Sequence, residues 1–347
     1  MSRHSKKNRK TLKYILIIIT LLIIILSWKT YSIIFQPNIS VSETSYDFAI
    51  PSHSTLNSLS TKLSEEVSVR NIQDFILLAE FLNLDSHIYP GLYTLKDNMS
   101  NKDIILLFRS GKRKNVRIHI PFNRFARDIL HDIAPLIEAN YNDMMTLLTT
   151  ESYIDSLGFN RYTIISMFVR DTYFFHWNTS ARDFFERMHK EYHIFWNTER
   201  LQKAQEIGLT PTEVTTLASI VEQETNQNIE KPRIAGVYLN RLRINMPLQA
   251  DPTVKYAIGD FELKRVRSKH TAINSRYNTY KYNNLPPGPI CTPSKTSIDA
   301  VLNHEKHAYL YFCAQPNYSG LHEFAKNYPE HLLNARKYQR WLNQEGY

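Results

Sequence analysis

The chain has 347 residues, 43% of them hydrophobic, and a formal charge of +9, a balance that suits folded domains and excludes a disordered polymer. The charge is unevenly spread. Arg3, Lys6, Lys7, Arg9, Lys10 and Lys13 all precede the first acidic residue, Glu43, and leave only about +3 for the remainder, so a nucleic-acid surface loses most of its support.

Behind the basic cluster, Tyr14 to Trp28 reads YILIIITLLIIILSW, and a weaker apolar stretch, Tyr31 to Phe35, follows Lys29 and Thr30. This run reads as a membrane anchor over 13–35 behind a cytoplasmic basic tail over 1–12. Lys13 and Lys29 can snorkel, while Trp28, Tyr31 and Phe35 suit the interface. A cleaved signal peptide is the alternative, but WKTYSIIF supplies bulky residues where small ones are needed for cleavage. Basic residues on the N-terminal side place that end in the cytoplasm and the rest of the chain outside.

Residues 36–50 read as an extended exit from the anchor. Helices are expected at Ser52 to Leu63, with Leu56, Leu59 and Leu63 as its stripe, and at Asn71 to Leu82. GLYTL at 91–95 has strand character. A further helix runs from the N-cap Ser100, with Asp103 at its third position and Gly111 closing it. VRIHIP at 116–121 alternates like a strand. These elements form a small α+β module over 36–120. Residues 121–205 read as a helical, aromatic-rich connecting subdomain containing FVRDTYFFHW at 168–177, and 206–347 as the part that carries chemistry.

Thr210, Pro211, Thr212 and Glu213 make a strong helix start: Thr210 caps, Pro211 fits the first turn and Glu213 closes a capping box. Val214, Leu217, Ala218 and Val221 mark one apolar face. At about 100° per residue, Glu224 falls roughly 70° from the centre of that face and Glu222 roughly 90° away on the other flank. Glu224 is therefore the better placed to lose water and hold a proton, as a glycosidase acid must. Periodicity alone favours a solvated helix end for both.

The strings that follow change this balance. ASIVEQET at 218–225, NRL at 240–242, LQADPTVKYAIG at 248–259, YNTY at 277–280, LPPGPI at 285–290 and YLYF at 309–312 occur in that order, and together they resemble the MltG (YceG-like) family of endolytic murein transglycosylases. GLYTL and SGK upstream resemble that family's LysM-like region. The resemblance implies an α+β fold comprising a transmembrane helix, a LysM-like module, a helical connecting subdomain and a C-terminal catalytic domain. It implies that Glu224 is the catalytic acid. Asn240, Gln249, Asp251, Tyr277, Asn278 and Thr279 would form the polar wall of the saccharide groove, with turn formation as the structural alternative for each. No cofactor and no metal are implied, nor is any nucleic-acid partner. The implied partners are peptidoglycan glycan strands, the inner (plasma) membrane and peptidoglycan synthases.

The implied reaction cuts the β-1,4 bond between N-acetylmuramic acid and N-acetylglucosamine within nascent strands, leaving 1,6-anhydro ends and terminating elongation. Two rivals are a muramidase, with Asp251 as second carboxylate, and a non-catalytic peptidoglycan-binding scaffold. The chain departs from the family pattern at IPFNRF (120–125), at Asn284, where a glycine usually precedes LPPGPI, and at Cys291. Asn is the residue that next best tolerates a left-handed backbone.

Overall fold

The structure is a computed structural model that describes residues 3–346. The first two residues of the expected basic tail, and the side chains of Arg3, Lys6, Lys7 and Arg9, lie outside the described part. The chain resolves into two compact units, residues 1–116 with 174–179, and residues 117–173 with 180–347.

The first unit begins with helix α1 (Arg3–Phe35), of which Lys10–Phe35, 26 residues, is long and apolar enough to cross a membrane. Its apolar side chains from Leu12 to Trp28 are exposed. The last turn is different. Ile33 and Ile34 pack on the unit's core, the Ile33 carbonyl accepts a hydrogen bond from Asn101 Nδ2 at 2.9 Å, and Lys29 pairs with Asp74 at 3.1 Å.

After α1 come β1 (Ile39–Ser40), β2 (Ser45–Ile50), α2 (Leu56–Glu66), β3 (Ser68–Val69), α3 (Ile72–Phe81), β4 (Gly91–Lys96) and α4 (Asn101–Ser110). β2 pairs antiparallel with β4, from Ser45 opposite Lys96 to Ile50 opposite Gly91, and β1 pairs with β3. The helices cover this small sheet, with Phe48, Leu63, Phe75, Tyr93, Leu95, Ile104 and Phe108 sealed in one core. Residues 36–50, expected to be merely extended, thus supply two strands. Helix α2 starts later than expected because Thr55, not Ser52, makes the capping box, with Ser58. Ser100, Asp103 and Gly111 take the cap positions expected of them, Gly111 at φ +62°.

Strands β5 (Asn115–His119) and β6 (Thr172–His176) carry the chain between the units. The string DTYFFH, expected within a helical stretch, forms β6 because its residues alternate: Tyr173 and Phe175 are buried, Phe174 and His176 exposed. A two-residue period cannot serve a helix face.

The second unit holds α5 (Ala126–Ile133), α6 (Tyr141–Thr149), α7 (Glu151–Ser156), α8 (Ala181–Phe195), α9 (Thr198–Glu206), α10 (Pro211–Glu224), α11 (Lys231–Arg243), α12 (Asp251–Ile258), α13 (Ser268–Thr271), α14 (Lys295–Leu302), the antiparallel pair β7 (Tyr311–Ala314) and β8 (His322–Ala325), and α15 (Tyr328–Gln344). Most of residues 121–205, expected as a separate connecting subdomain, belong to the same compact unit as 206–347. Helix α10 is its axis. Every residue from Val214 to Val221 is buried, against α9, α11, α12 and α14. The stiff turn after Asn284 packs against protein: a Cβ on Gly288 would sit 2.1 Å from the Tyr162 carbonyl oxygen, so only glycine fits. Asn284 itself adopts φ +72°. Cys291 and Cys313 are free thiols.

Candidate active site

Because α10 is covered on several sides, its last turn sends two carboxylates into two different environments. Glu222, with 14% of its side chain exposed, meets Arg170 Nη1 at 2.8 Å, Lys231 Nζ at 3.1 Å, Ser294 Oγ at 2.7 Å and the Ser297 hydroxyl. Burial alone would push its pKa up, but the bonds from Ser297, Ser294 and Lys231 prevail and hold it down at about 2. Glu222 is a fixed anion that ties α10 to α11 and α14.

Glu224 has one donor. Tyr238, three residues before Arg241 on α11, donates its hydroxyl to Oε1 at 2.6 Å. Among the described residues Oε2 has no hydrogen-bond partner. Burial pushes the pKa up to about 7, with the Asp251 carboxylate adding to the rise, while the Tyr238 bond and the charges of Arg241 and Lys255 oppose it. The result is a carboxyl that is protonated for part of the time at neutral pH and has one oxygen open for proton transfer.

Glu224 lies in a cavity of about 300 Å³ with Tyr238, Arg241, Gln249, Asp251, Tyr280 and Tyr311. A larger cavity, about 650 Å³, has aliphatic walls from Ile207, Leu209, Leu239, Leu242 and Leu302, and its charged residues form no ion pairs with one another among the described residues. Size does not pick out the chemistry here; a displaced acid with converging polar groups does.

Of the residues expected at the site, the cavity brings together Glu224, Gln249 and Asp251. Asp251 Oδ1 accepts the Tyr280 hydroxyl at 2.6 Å. Gln249 adopts φ +53°, a region unfavourable for a side chain with a Cβ, and is held there by its N–H bonding the Thr279 carbonyl at 3.0 Å. The other expected residues spend their polar groups on the protein. Asn240 Nδ2 donates to the carbonyls of His307 at 2.8 Å and Tyr309 at 3.0 Å. Buried Asn278 donates to Thr271 and Ile273 carbonyls at 2.9 and 2.8 Å. Thr279 Oγ1 accepts the Ala250 N–H at 3.0 Å and meets Thr253 at 2.8 Å. Tyr277 packs its ring 4.7 Å from that of Tyr256. Of these, Thr279 holds the loop that carries Gln249 and Asp251, through Ala250 N–H and Gln249 N–H.

Sequence reasoning passed over Tyr238, Arg241, Tyr280, Tyr311 and His331. The first four were within the quoted strings or beside them: Tyr238 and Arg241 share a face of α11 by their spacing of three, Tyr280 ends YNTY and Tyr311 lies in YLYF. His331 on α15 stacks on Tyr311 at 5.3 Å, and no string marked it.

The profile of the YceG-like family matches residues 48–337. The chain is 28% identical to an endolytic murein transglycosylase of Bacillus subtilis over 328 residues, covering 90% of each. It is 25% identical to an endolytic murein transglycosylase of Streptococcus pneumoniae, covering 83% of this chain but only 57% of that longer relative. A crystal structure of a protein described as yceG-like from Listeria monocytogenes aligns over 84% of this chain and 99% of its own, with a TM-score of 0.53 and 26% identity.

Proposed function

This chain belongs to the YceG-like family, and on that premise we propose that it is a single-pass, membrane-anchored endolytic lytic transglycosylase that cleaves peptidoglycan glycan strands with Glu224 as its one acid and base. The observation that carries the reading is the contrast at Glu224, a part-buried, desolvated carboxyl raised to about 7 with one oxygen fixed by Tyr238 and the other open to the cavity.

Glu224 Oε2 gives its proton to the glycosidic oxygen as the bond from C1 of N-acetylmuramic acid to O4 of N-acetylglucosamine breaks. The new carboxylate then takes the proton of the muramyl C6 hydroxyl, and that oxygen closes on C1 to leave a 1,6-anhydro end without consuming water. The acid is thereby reset. Asp251, held by Tyr280, supplies negative charge beside the cationic sugar of the transition state.

Helix α1 anchors the protein with its N-terminus in the cytoplasm and the chain beyond the anchor outside, so cleavage falls on strands close to the membrane, where synthases extend them. The first unit, with its small β2–β4 sheet and covering helices, serves as the LysM-like glycan-holding module.

Asp251 in the same cavity also motivates the muramidase reading, in which water is the acceptor. Mass spectrometry of the products from purified peptidoglycan decides between them. The transglycosylase yields anhydromuramyl ends; reducing ends would establish the hydrolase instead, and intact strands a binding scaffold.

A further inference from the structure

Arg241 is only 7% exposed, yet among the described residues no carboxylate lies within ion-pair distance of its guanidinium. A charge removed from water ordinarily needs a counter-charge, and an arginine cannot shed its proton to escape the cost. Its other contacts are neutral. Nε donates to the Leu310 carbonyl at 2.7 Å, and Nη1 to the carbonyls of Leu248 at 2.7 Å and Pro247 at 3.2 Å. One face of the guanidinium lies 5.2 Å from the Tyr311 ring centroid. These contacts lock the fork in place.

Nη2 is left over. It has no hydrogen-bond partner among the described residues and is not one of the polar atoms sealed from water, and Arg241 is one of the side chains that line the cavity with Glu224. Asp251, the other acid of that cavity, is engaged by Tyr280 and makes no ion pair with Arg241. A buried, immobilised cation with one free donor and, among the described residues, no carboxylate at ion-pair distance is an incomplete anion site.

We propose that Arg241 is the anion-recognising residue of this cavity, binding a carboxylate carried by the glycan substrate. This rests on the transglycosylase reading and goes further, because it makes the site select for acidic sugar polymers rather than for β-1,4-linked N-acetylhexosamines in general. Two groups of peptidoglycan have this chemistry. One is the lactyl carboxylate of a muramyl sugar whose peptide has been removed, and the other is a carboxylate of the peptide stem.

The test uses the full-length Glu224→Gln protein in detergent, which keeps a neutral side chain beside Arg241 and does not consume its ligand. Binding is measured to peptide-free glycan oligomers with free lactyl carboxylates, to the same oligomers capped as methylamides, and to stem-bearing oligomers. A carboxylate that completes the site binds about tenfold or more tightly than the methylamide. Preference for the free lactyl oligomer assigns that source, while preference for stem-bearing strands alone assigns the stem. Equal affinity for all three overturns the proposal.

Arg241→Lys in the same background keeps the charge but loses the fork, so it should reduce the ratio of carboxylate to methylamide affinity several-fold. Undiminished discrimination in a folded Arg241→Lys protein also overturns it. If that variant fails to fold, the oligomer series still decides. Cleavage of peptidoglycan by the unmutated protein is measured in parallel. Cleavage without carboxylate preference defeats this proposal alone, whereas absence of cleavage defeats the reading beneath it.

Discussion

Glu222 and Glu224 stand two residues apart on the last turn of one helix, and in both the largest single influence on the carboxyl is burial, which acts upward. They end near pH 2 and near pH 7 respectively. The difference lies in their partners. Glu222 is in direct contact with two cations and two hydroxyls, whereas Glu224 accepts one bond, from a tyrosine hydroxyl, with the Asp251 carboxylate nearby and the charges of Arg241 and Lys255 acting without an ion pair. Depth in the protein therefore does not make a general acid; depth with too few donors does.

The sharpest way to break this comparison is to neutralise each glutamate in turn. Glu224→Gln preserves shape and the Tyr238 contact but cannot transfer a proton, so glycan cleavage per folded molecule should fall by about 10² to 10⁴. Glu222→Gln should leave chemistry per folded molecule close to normal. It removes the anion from buried Lys231 and part-buried Arg170, and unfolding by denaturant at pH 7 should show a loss of about 3 kcal/mol.

Their linkage to pH has opposite signs. Because the Glu222 pKa is depressed from 4.5 to about 2, its stabilisation is present above pH 4.5 and disappears as the pH falls towards 2. Glu224 is raised from 4.5 to about 7, so it destabilises the fold progressively as the pH climbs from 4.5 through 7. Glu224→Gln should accordingly be the more stable protein at pH 8, by up to about 3 kcal/mol, while inactive. Equal denaturation midpoints at pH 5 and pH 8, relative to the unmutated protein, would contradict this.

Smaller effects sharpen the account of Glu224's surroundings. Tyr238→Phe deletes the one hydrogen bond that favours the carboxylate, so the alkaline limb of the kcat/KM profile should move upward by roughly one pH unit, with about a tenfold loss of rate at the optimum. Asp251→Asn removes a charge that raises the Glu224 pKa, and the same limb should move downward by less than about one unit. Products should remain anhydromuramyl. Under the muramidase reading, Asp251→Asn instead abolishes turnover, so the size of this effect separates the two chemistries.

How much of this was legible beforehand differs between the elements. The start of α10 was readable because a capping box and an N1 proline are local, and the preference for Glu224 over Glu222 needed only helical periodicity and the family strings. What periodicity could not supply was the identity of the partners. Arg170, Ser294 and Ser297 reach Glu222 from segments 52 to 75 positions away in the chain, so a helix flank that reads as solvated is in fact lined with donors.

The groove residues show the same limit from the other side. Asn240, Asn278 and Thr279 are polar, and a string match cannot distinguish a side chain that meets sugar from one that satisfies backbone carbonyls or N–H groups in a neighbouring segment. In the first unit, caps at Ser100 and Gly111 were visible because cap chemistry is local. Strand β6 is harder to see because an aromatic-rich run suits a helix by composition, and only its two-residue alternation marks a strand.

The central claim is that Glu224 holds a proton for part of the time at neutral pH because it is desolvated with a single hydrogen-bond donor. Infrared difference titration of the full-length protein against Glu224→Gln tests it directly, through the carbonyl stretch of one protonated carboxyl. The account predicts a band absent from the variant that vanishes as the pH rises through about 7. A band lost near the ordinary 4.5, or no band that distinguishes the two proteins above that pH, would contradict it.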